Sequence, residues 1–368
     1  MSADPTANAG PPGAEWVSTV EAAVTDSWTE VLGYPPDGSA ANFFEDGGNS
    51  LVAVDLLAGI KQRLDRSLKL QELYSAPTVG ELVAVLIAEL DGVPAAHHAT
   101  GRTVVPLRRA GAGRLWCFLP PLSGAVTRYA SMARLLPLAD GVWACETPAE
   151  LSAQGLAALA EGLAEALRER GLADFELICL VGYSLGGVLA VEVARALRNL
   201  PGAGAHRLAV QLLDPVGPDE PVADQAELFE LFVRNGWQLG QPAAAFRRPD
   251  GSPDLAAVAD AARAAGTLPG HAELAEVERA WAVYLANAQL MPGYRPAPLP
   301  ADVPVTLLRC VGENAGDPGW QPASPPDDWR TVVPADRCWQ LPVDHFALLE
   351  SPHDRVVAGW LTATAPPS

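Results

Sequence analysis

Ser184 stands at the centre of Gly182-Tyr183-Ser184-Leu185-Gly186, between an apolar run over 176–181 and a segment with helical spacing. A serine hydroxyl attacks a carbonyl only when a base takes its proton. A G-x-S-x-G turn between a strand and a helix is one way to present such a serine. The turn is tight enough to require small neighbours, which accounts for glycines two residues to either side. It also puts the backbone N–H of Leu185 near the oxygen that becomes negative on attack. The five-residue pattern occurs by chance. The strand before it and the amphipathic helix after it supply the context that an inert Gly-rich turn lacks.

The base and acid are sought downstream, in the order serine, acid, histidine. Of six histidines, His271, His345 and His353 lie well beyond the core strands. His271 falls in a helical insert. His353 sits before a helix and reads as a surface or capping residue. His345, in Val343-Asp344-His345-Phe346, directly follows the last apolar strand and is the expected base. The expected acid is Asp214, which closes the strand ending Leu212-Leu213-Asp214-Pro215. A carboxylate there needs a partner, and an imidazole N–H is a good one. Asp219 and Asp344 are the alternatives, and Asp344 would point away from its sequence neighbour. Asp214 could also be no more than a turn residue ahead of Pro215. A second oxyanion donor is expected after the first strand of the same domain, in Pro120-Pro121-Leu122-Ser123-Gly124. The backbone N–H of Leu122 is the first candidate and Ser123 the next.

Ser50, in Gly47-Gly48-Asn49-Ser50-Leu51, has a different setting. No strand precedes it, and the unit around it contains no histidine. Two glycines before a serine at a helix start give an accessible hydroxyl suited to modification. The same residues would make a simple N-cap. The residues alone allow both.

The elements that position these serines divide the chain in two. Residues 15–90 read as a small all-helical unit. Val17, Val20, Val24, Trp28 and Val31 fall at helical spacing and stop at Gly33. A second helix is expected from Ser50 to Leu64, burying Leu56, Leu57, Ile60 and Leu64. A last one opens at Thr78 with Glu81 as a capping box. Residues 91–113, Ala/Gly/Pro-rich with His97 and His98, read as a linker, and the two histidines as solvated polar sequence. From 114 to 368, apolar strands at 115–120, 142–145, 175–182, 208–214, 303–310 and 338–343 alternate with helices. That pattern indicates a mostly parallel sheet with helices on both faces. The stretch at about 220–300 breaks the alternation and reads as a helical lid.

Bulk composition narrows the partners. A net charge of −19 over 368 residues disfavours nucleic acid and anionic membranes. The acidity is concentrated: Glu15 to Asp91 holds 13 acids against 4 bases, which favours a basic docking partner. Cys117, Cys145, Cys179, Cys310 and Cys338 show no CxxC spacing and read as thiols of a reducing compartment. No metal site is expected. The N-terminal stretch lacks a basic head and an apolar run, so a cytoplasmic location is expected.

The run Phe43-Phe44-Glu45-Asp46-Gly47-Gly48-Asn49-Ser50-Leu51 resembles the core of peptidyl carrier domains of nonribosomal peptide synthetases. The resemblance implies 4′-phosphopantetheine on Ser50, added by a phosphopantetheinyl transferase. Asn49 stands where Asp or His is commoner. Residues from about Val104 to Leu361 resemble the thioesterase domain of the same systems, an α/β-hydrolase. The resemblance maps nucleophile, acid and base onto Ser184, Asp214 and His345. Ser123 and Val343 stand where the family often has glycine. It further implies an acyl or peptidyl substrate, loaded by adenylation and condensation enzymes acting in trans. The expected activity is release of the carrier-bound acyl group by hydrolysis or cyclisation. Transfer to a separate alcohol or amine acceptor is the alternative, and a non-catalytic scaffold is the rival outside enzymology.

Overall fold

The computed structural model describes residues 14–64, 68, 70–88, 103–108, 113–125, 129–200, 207–217, 224–237, 239–265, 267–268, 274–312 and 319–367. The chain forms two compact units, Met1–Arg102 and Thr103–Ser368. The candidate histidines His97, His98 and His271, and Asp219, lie outside the described residues.

The first unit is helical: α1 (Ala14–Leu32), α2 (Ser50–Leu64), α3 (Leu70–Ser75) and α4 (Val79–Ala88). Val20, Val24 and Trp28 of α1 are buried at four-residue spacing, and α2 buries Leu56, Leu57, Ile60 and Leu64 as its pattern requires. Aromatic edges lock the loop between them to the core. Trp28 meets Phe43 edge-on at 5.2 Å, and Phe44 stacks on Tyr74 at 4.7 Å. Thr78 and Glu81 form the expected capping box, each side chain accepting from the other's backbone N–H at 3.3 Å. The short helix α3 was not expected.

The second unit is built on one eight-stranded sheet, from β1 (Val104–Arg108), β2 (Arg114–Leu119), β3 (Gly141–Cys145), β4 (Leu177–Tyr183), β5 (Arg207–Leu213), β6 (Val305–Cys310), β7 (Gln321–Pro322) and β8 (Cys338–Leu341). The order is β1-β3-β2-β4-β5-β6-β8-β7, parallel throughout except at the two edges. The helices are α5 (Ala130–Leu135), α6 (Ala149–Ser152), α7 (Leu156–Glu169), α8 (Leu185–Asn199), α9 (Gln225–Leu231), α10 (Leu255–Ala264), α11 (Leu274–Ala288) and α12 (His353–Thr364). Alternation along β5 shows both faces covered. Val210 and Leu212 join a core with α7 and α8. Gln211, between them, turns the other way and donates to Leu361 O and Thr364 Oγ1 of α12.

The linker expected over 91–113 needs correction at its carboxyl end. Residues 104–108 form β1, antiparallel to β3, with every residue buried. Pro106 is tolerated because β1 is an edge strand. Arg108 is buried at its end, where its guanidinium donates to Ala133 O at 2.6 Å, Leu136 O and Asp140 O.

The lid leaves the sheet between β5 and β6. It comprises α9, a π-helical turn at Phe232–Gly236, α10 and α11. It has a core of its own, with Phe229, Phe232, Trp281 and Tyr284 in mutual ring contact.

Candidate active site

The residue positions expected for chemistry in the second unit follow the carboxyl ends of four parallel strands, β2, β4, β5 and β8. This is where an open α/β sheet presents its ligand sites. Ser184 follows β4 with φ 57° and ψ −125°, and Asp214 follows β5 with φ 45°. They are the two positive-φ non-glycine residues among those described. Such conformations cost on the order of 1–3 kcal/mol each and persist where the surroundings enforce them.

The surroundings do so through glycines. A Cβ on Gly182 would lie 1.9 Å from Gly186 O, one on Gly186 2.6 Å from Leu119 O, and one on Gly187 2.7 Å from the Pro215 Cβ. The turn is further tied by Ser184 N–H to Leu213 O at 3.1 Å and Gly187 N–H to Ser184 O at 2.9 Å. Leu185 is the first residue of α8, so its N–H has no acceptor within the helix.

Asp214 Oδ2 lies 2.7 Å from His345 Nδ1. The other carboxylate oxygen accepts from Cys310 N–H at 2.9 Å, and the Asp214 N–H donates to Leu308 O at 2.7 Å. β6 thus holds the acid at backbone and side chain. Asp344 instead accepts from Phe346 N–H at 2.9 Å, capping the short turn that carries His345. His353 is buried rather than on the surface, with Nδ1 3.1 Å from Ala347 O at the start of α12.

Ser184, Asp214 and His345 line one cavity of about 440 Å³, with Leu122, Tyr284 and Phe346 among its walls. Leu185 and Ser123 line it too. The structure therefore brings Ser184, His345, Asp214, Leu185 and Leu122, the residues expected from the sequence, to one cavity. A hydroxyl, imidazole and carboxylate so placed suit acyl transfer through a covalent serine ester.

Tyr183 was missed. Its hydroxyl donates to His345 O at 2.9 Å, and its ring stacks on the imidazole with centroids 4.7 Å apart. It occupies the variable second position of the elbow, where no local rule assigns it a role. Phe346 meets the imidazole edge-on from another side, and Arg234 of the lid lies over the Phe346 ring at 5.6 Å.

In the first unit, the α2 start is capped by Asn49, not Ser50. Asn49 O accepts from Ala53 N–H at 2.8 Å, and Asn49 Oδ1 from Val52 N–H at 3.1 Å. The preceding loop needs its glycines. Gly47 has φ 91°, and a Cβ on Gly48 would lie 2.4 Å from the Phe43 ring. The Tyr34 hydroxyl donates to Asp46 O beside it.

Residues 114–358, most of the chain, match the thioesterase domain family, and residues 22–86 match the phosphopantetheine attachment site family. The chain belongs to the thioesterase domain family. Its first unit is a phosphopantetheine attachment domain, which carries 4′-phosphopantetheine covalently.

Among curated relatives, enterobactin synthase component F of Escherichia coli is 28% identical over 54% of this chain and 15% of its own length. A mycosubtilin synthase of Bacillus subtilis is 30% identical over 49% of this chain and 6% of its own. Indigoidine synthase of Dickeya dadantii is 33% identical over 50% and 12%. The chain thus spans a small part of these relatives. A solved four-domain nonribosomal peptide synthetase, holo-AB3403, is similar in fold, with a TM-score of 0.57 at 24% identity. It covers 100% of this chain and 27% of its own length. No described helix is long and apolar enough to cross a membrane.

Proposed function

We propose that this chain releases an acyl or peptidyl group from its own carrier unit in a nonribosomal peptide assembly line, by hydrolysis or cyclisation. The observation that carries this reading is the convergence of Ser184, Asp214 and His345 on one cavity, in a chain that also holds a phosphopantetheine attachment domain. The synthetase relatives support the context.

Ser50 is the attachment residue in this reading. The loop fits that role, because the residue that caps the helix is Asn49. Attached there, 4′-phosphopantetheine supplies a thiol that holds the acyl group as a thioester. Ser184 Oγ attacks the acyl carbon while its proton passes to His345. Asp214 keeps the imidazole in the tautomer that accepts at Nε2 and stabilises the cation that forms. The N–H groups of Leu185 and Leu122 hold the oxyanion. The C–S bond breaks, His345 returns the proton to the departing sulfur, and the acyl group remains on Ser184. His345 then deprotonates water, or a nucleophile within the acyl chain, and passes that proton to the departing Ser184 Oγ, so the ester is resolved as an acid or a ring and the serine hydroxyl is restored. Tethering in one chain raises the local concentration of substrate at Ser184.

In the proposed setting the domains are 15–90 for the carrier and 114–368 for the thioesterase, the latter preceded by β1, with the lid at about 220–300. A phosphopantetheinyl transferase activates Ser50, and adenylation and condensation activities load it. Five cysteines outside any disulfide fit the cytoplasm.

Intact-protein mass measurement tests both serines. The chain should gain the phosphopantetheinyl mass from coenzyme A and a transferase, and Ser50→Ala should not. An acyl group loaded on Ser184→Ala should persist, whereas the parent chain should discharge it. Loss at the parent rate would remove Ser184 from the nucleophile's role.

A further inference from the structure

Leu122 occupies a place that the sheet does not hold. It follows β2 after Pro120 and Pro121, which have no N–H to donate, and it is the second residue of the turn that Gly124 N–H closes on Pro121 O at 2.8 Å. Its carbonyl is held by a side chain from the lid: Asn287 Nδ2 donates to Leu122 O at 3.0 Å. Asn287, near the end of α11, is 0% exposed. The same amide nitrogen lies 3.4 Å from Thr147 Oγ1, and Asn287 Oδ1 accepts from Ser152 Oγ of α6 at 2.7 Å. A carbonyl only accepts, so the end of the carboxamide facing Leu122 is its NH₂ group. The Ser152 hydroxyl, buried with it, matches the oxygen end.

Two further contacts press the loop on the lid. Gly124 has φ 72°, and a Cβ there would lie 2.6 Å from Val283 Cγ1 of α11. The Leu122 side chain packs against both the sheet core and the lid core. The turn is fastened on its other side by Thr147 N–H to Gly124 O at 3.0 Å.

We infer that Asn287 is a positioning residue for oxyanion binding. The Leu122 carbonyl shares its peptide plane with the Ser123 N–H, so Asn287 fixes that plane. With the preceding plane held by Gly124 N–H on Pro121 O, the Leu122 backbone is fixed on both sides and its N–H keeps one direction. Ser152 and Thr147 hold the carboxamide in its turn. The lid then does more than wall the cavity, since one of its buried side chains completes the geometry of the electrophile's site. The inference rests on the assignment of Ser184 as nucleophile and of Leu122 as oxyanion donor.

The test compares ground-state with transition-state recognition in the full chain. The probes are an octanoyl N-acetylcysteamine thioester and a trifluoromethyl ketone with the same alkyl chain, which adds to a serine as a tetrahedral oxyanion. Asn287→Leu should lower kcat about ten- to a hundredfold with KM within about threefold, and weaken the ketone in parallel with kcat/KM. A raised KM with unchanged kcat and ketone affinity would show a wall-anchoring role and overturn the inference. Ser152→Ala, which keeps Asn287 but frees its carboxamide, should move kcat and ketone affinity in the same direction by about threefold or more. It serves if Asn287→Leu does not fold, and wild-type values for it would also overturn the inference. Labelling of the parent chain by a fluorophosphonate, lost in Ser184→Ala, tests the underlying assignment separately. Labelled parent chain with indifferent Asn287 and Ser152 variants removes only the present inference, whereas an unlabelled parent removes both.

Discussion

At the scale of single residues, Asp214 is the more demanding partner of Ser184. Its φ of 45° is one that most L-residues avoid, and Asp and Asn are the side chains that tolerate it best. Asp214→Asn should therefore keep the fold while losing the reaction. The asparagine cannot stabilise the imidazolium, and its NH₂ group favours the wrong tautomer at His345 Nδ1. The value of kcat should fall by about 10⁴-fold with an unchanged melting temperature and circular dichroism spectrum. The sequence announced this residue by its place at a strand end, and His345 by its place after the last core strand. Tyr183 and Asn287 gave no such sign. The first bonds a backbone carbonyl 162 residues away and the second one 165 residues away. Contacts of that range depend on the packed fold and leave no periodicity to read.

At the scale of elements, the turn before α2 separates two jobs that the residues alone had left joined. Asn49 caps the helix, and Ser50 is its first residue. Asn49→Ala should thus lower the stability of the carrier unit by about 1 kcal/mol. It should leave phosphopantetheinylation of Ser50 intact, as thermal melting and mass measurement together would show. Legibility follows strength of pattern here too. The six core strands are predominantly apolar runs, readable to within a few residues. β1 carries Pro106 and follows an Ala/Gly-rich stretch, and β7 is two residues long, so neither resembles a strand by composition. Helix α3, at six residues, is too short to show a period.

At the scale of the whole molecule, the five thiols are built to stay silent. Cys117 and Cys145 lie with sulfurs 3.9 Å apart and unbridged. Their contact, together with burial, pushes the Cys117 thiol up. Burial raises Cys179 to about 12. Burial, and then the charge of Asp214, push Cys310 up as well. A raised thiol pKa leaves less thiolate at every pH below it, so alkylation should stay slow up to about pH 8. Native protein treated with iodoacetamide should take up little label at that pH, and unfolded protein should take up five equivalents. Rapid native labelling of Cys310 would contradict its shielding by burial and by the charge of Asp214.

The separate core of the lid has a consequence for descent. An insertion that packs on itself can be lengthened, trimmed or exchanged with little disturbance to the sheet beneath, so it is a natural unit of recombination between relatives. The bond from Asn287 to the Leu122 carbonyl limits that freedom. A transplanted lid that lacked an equivalent donor would inherit a nucleophile, an acid and a base, yet leave the turn beside them without its anchor. Chimeras that fold well and turn over poorly are the expected product of exchanges that ignore this one residue.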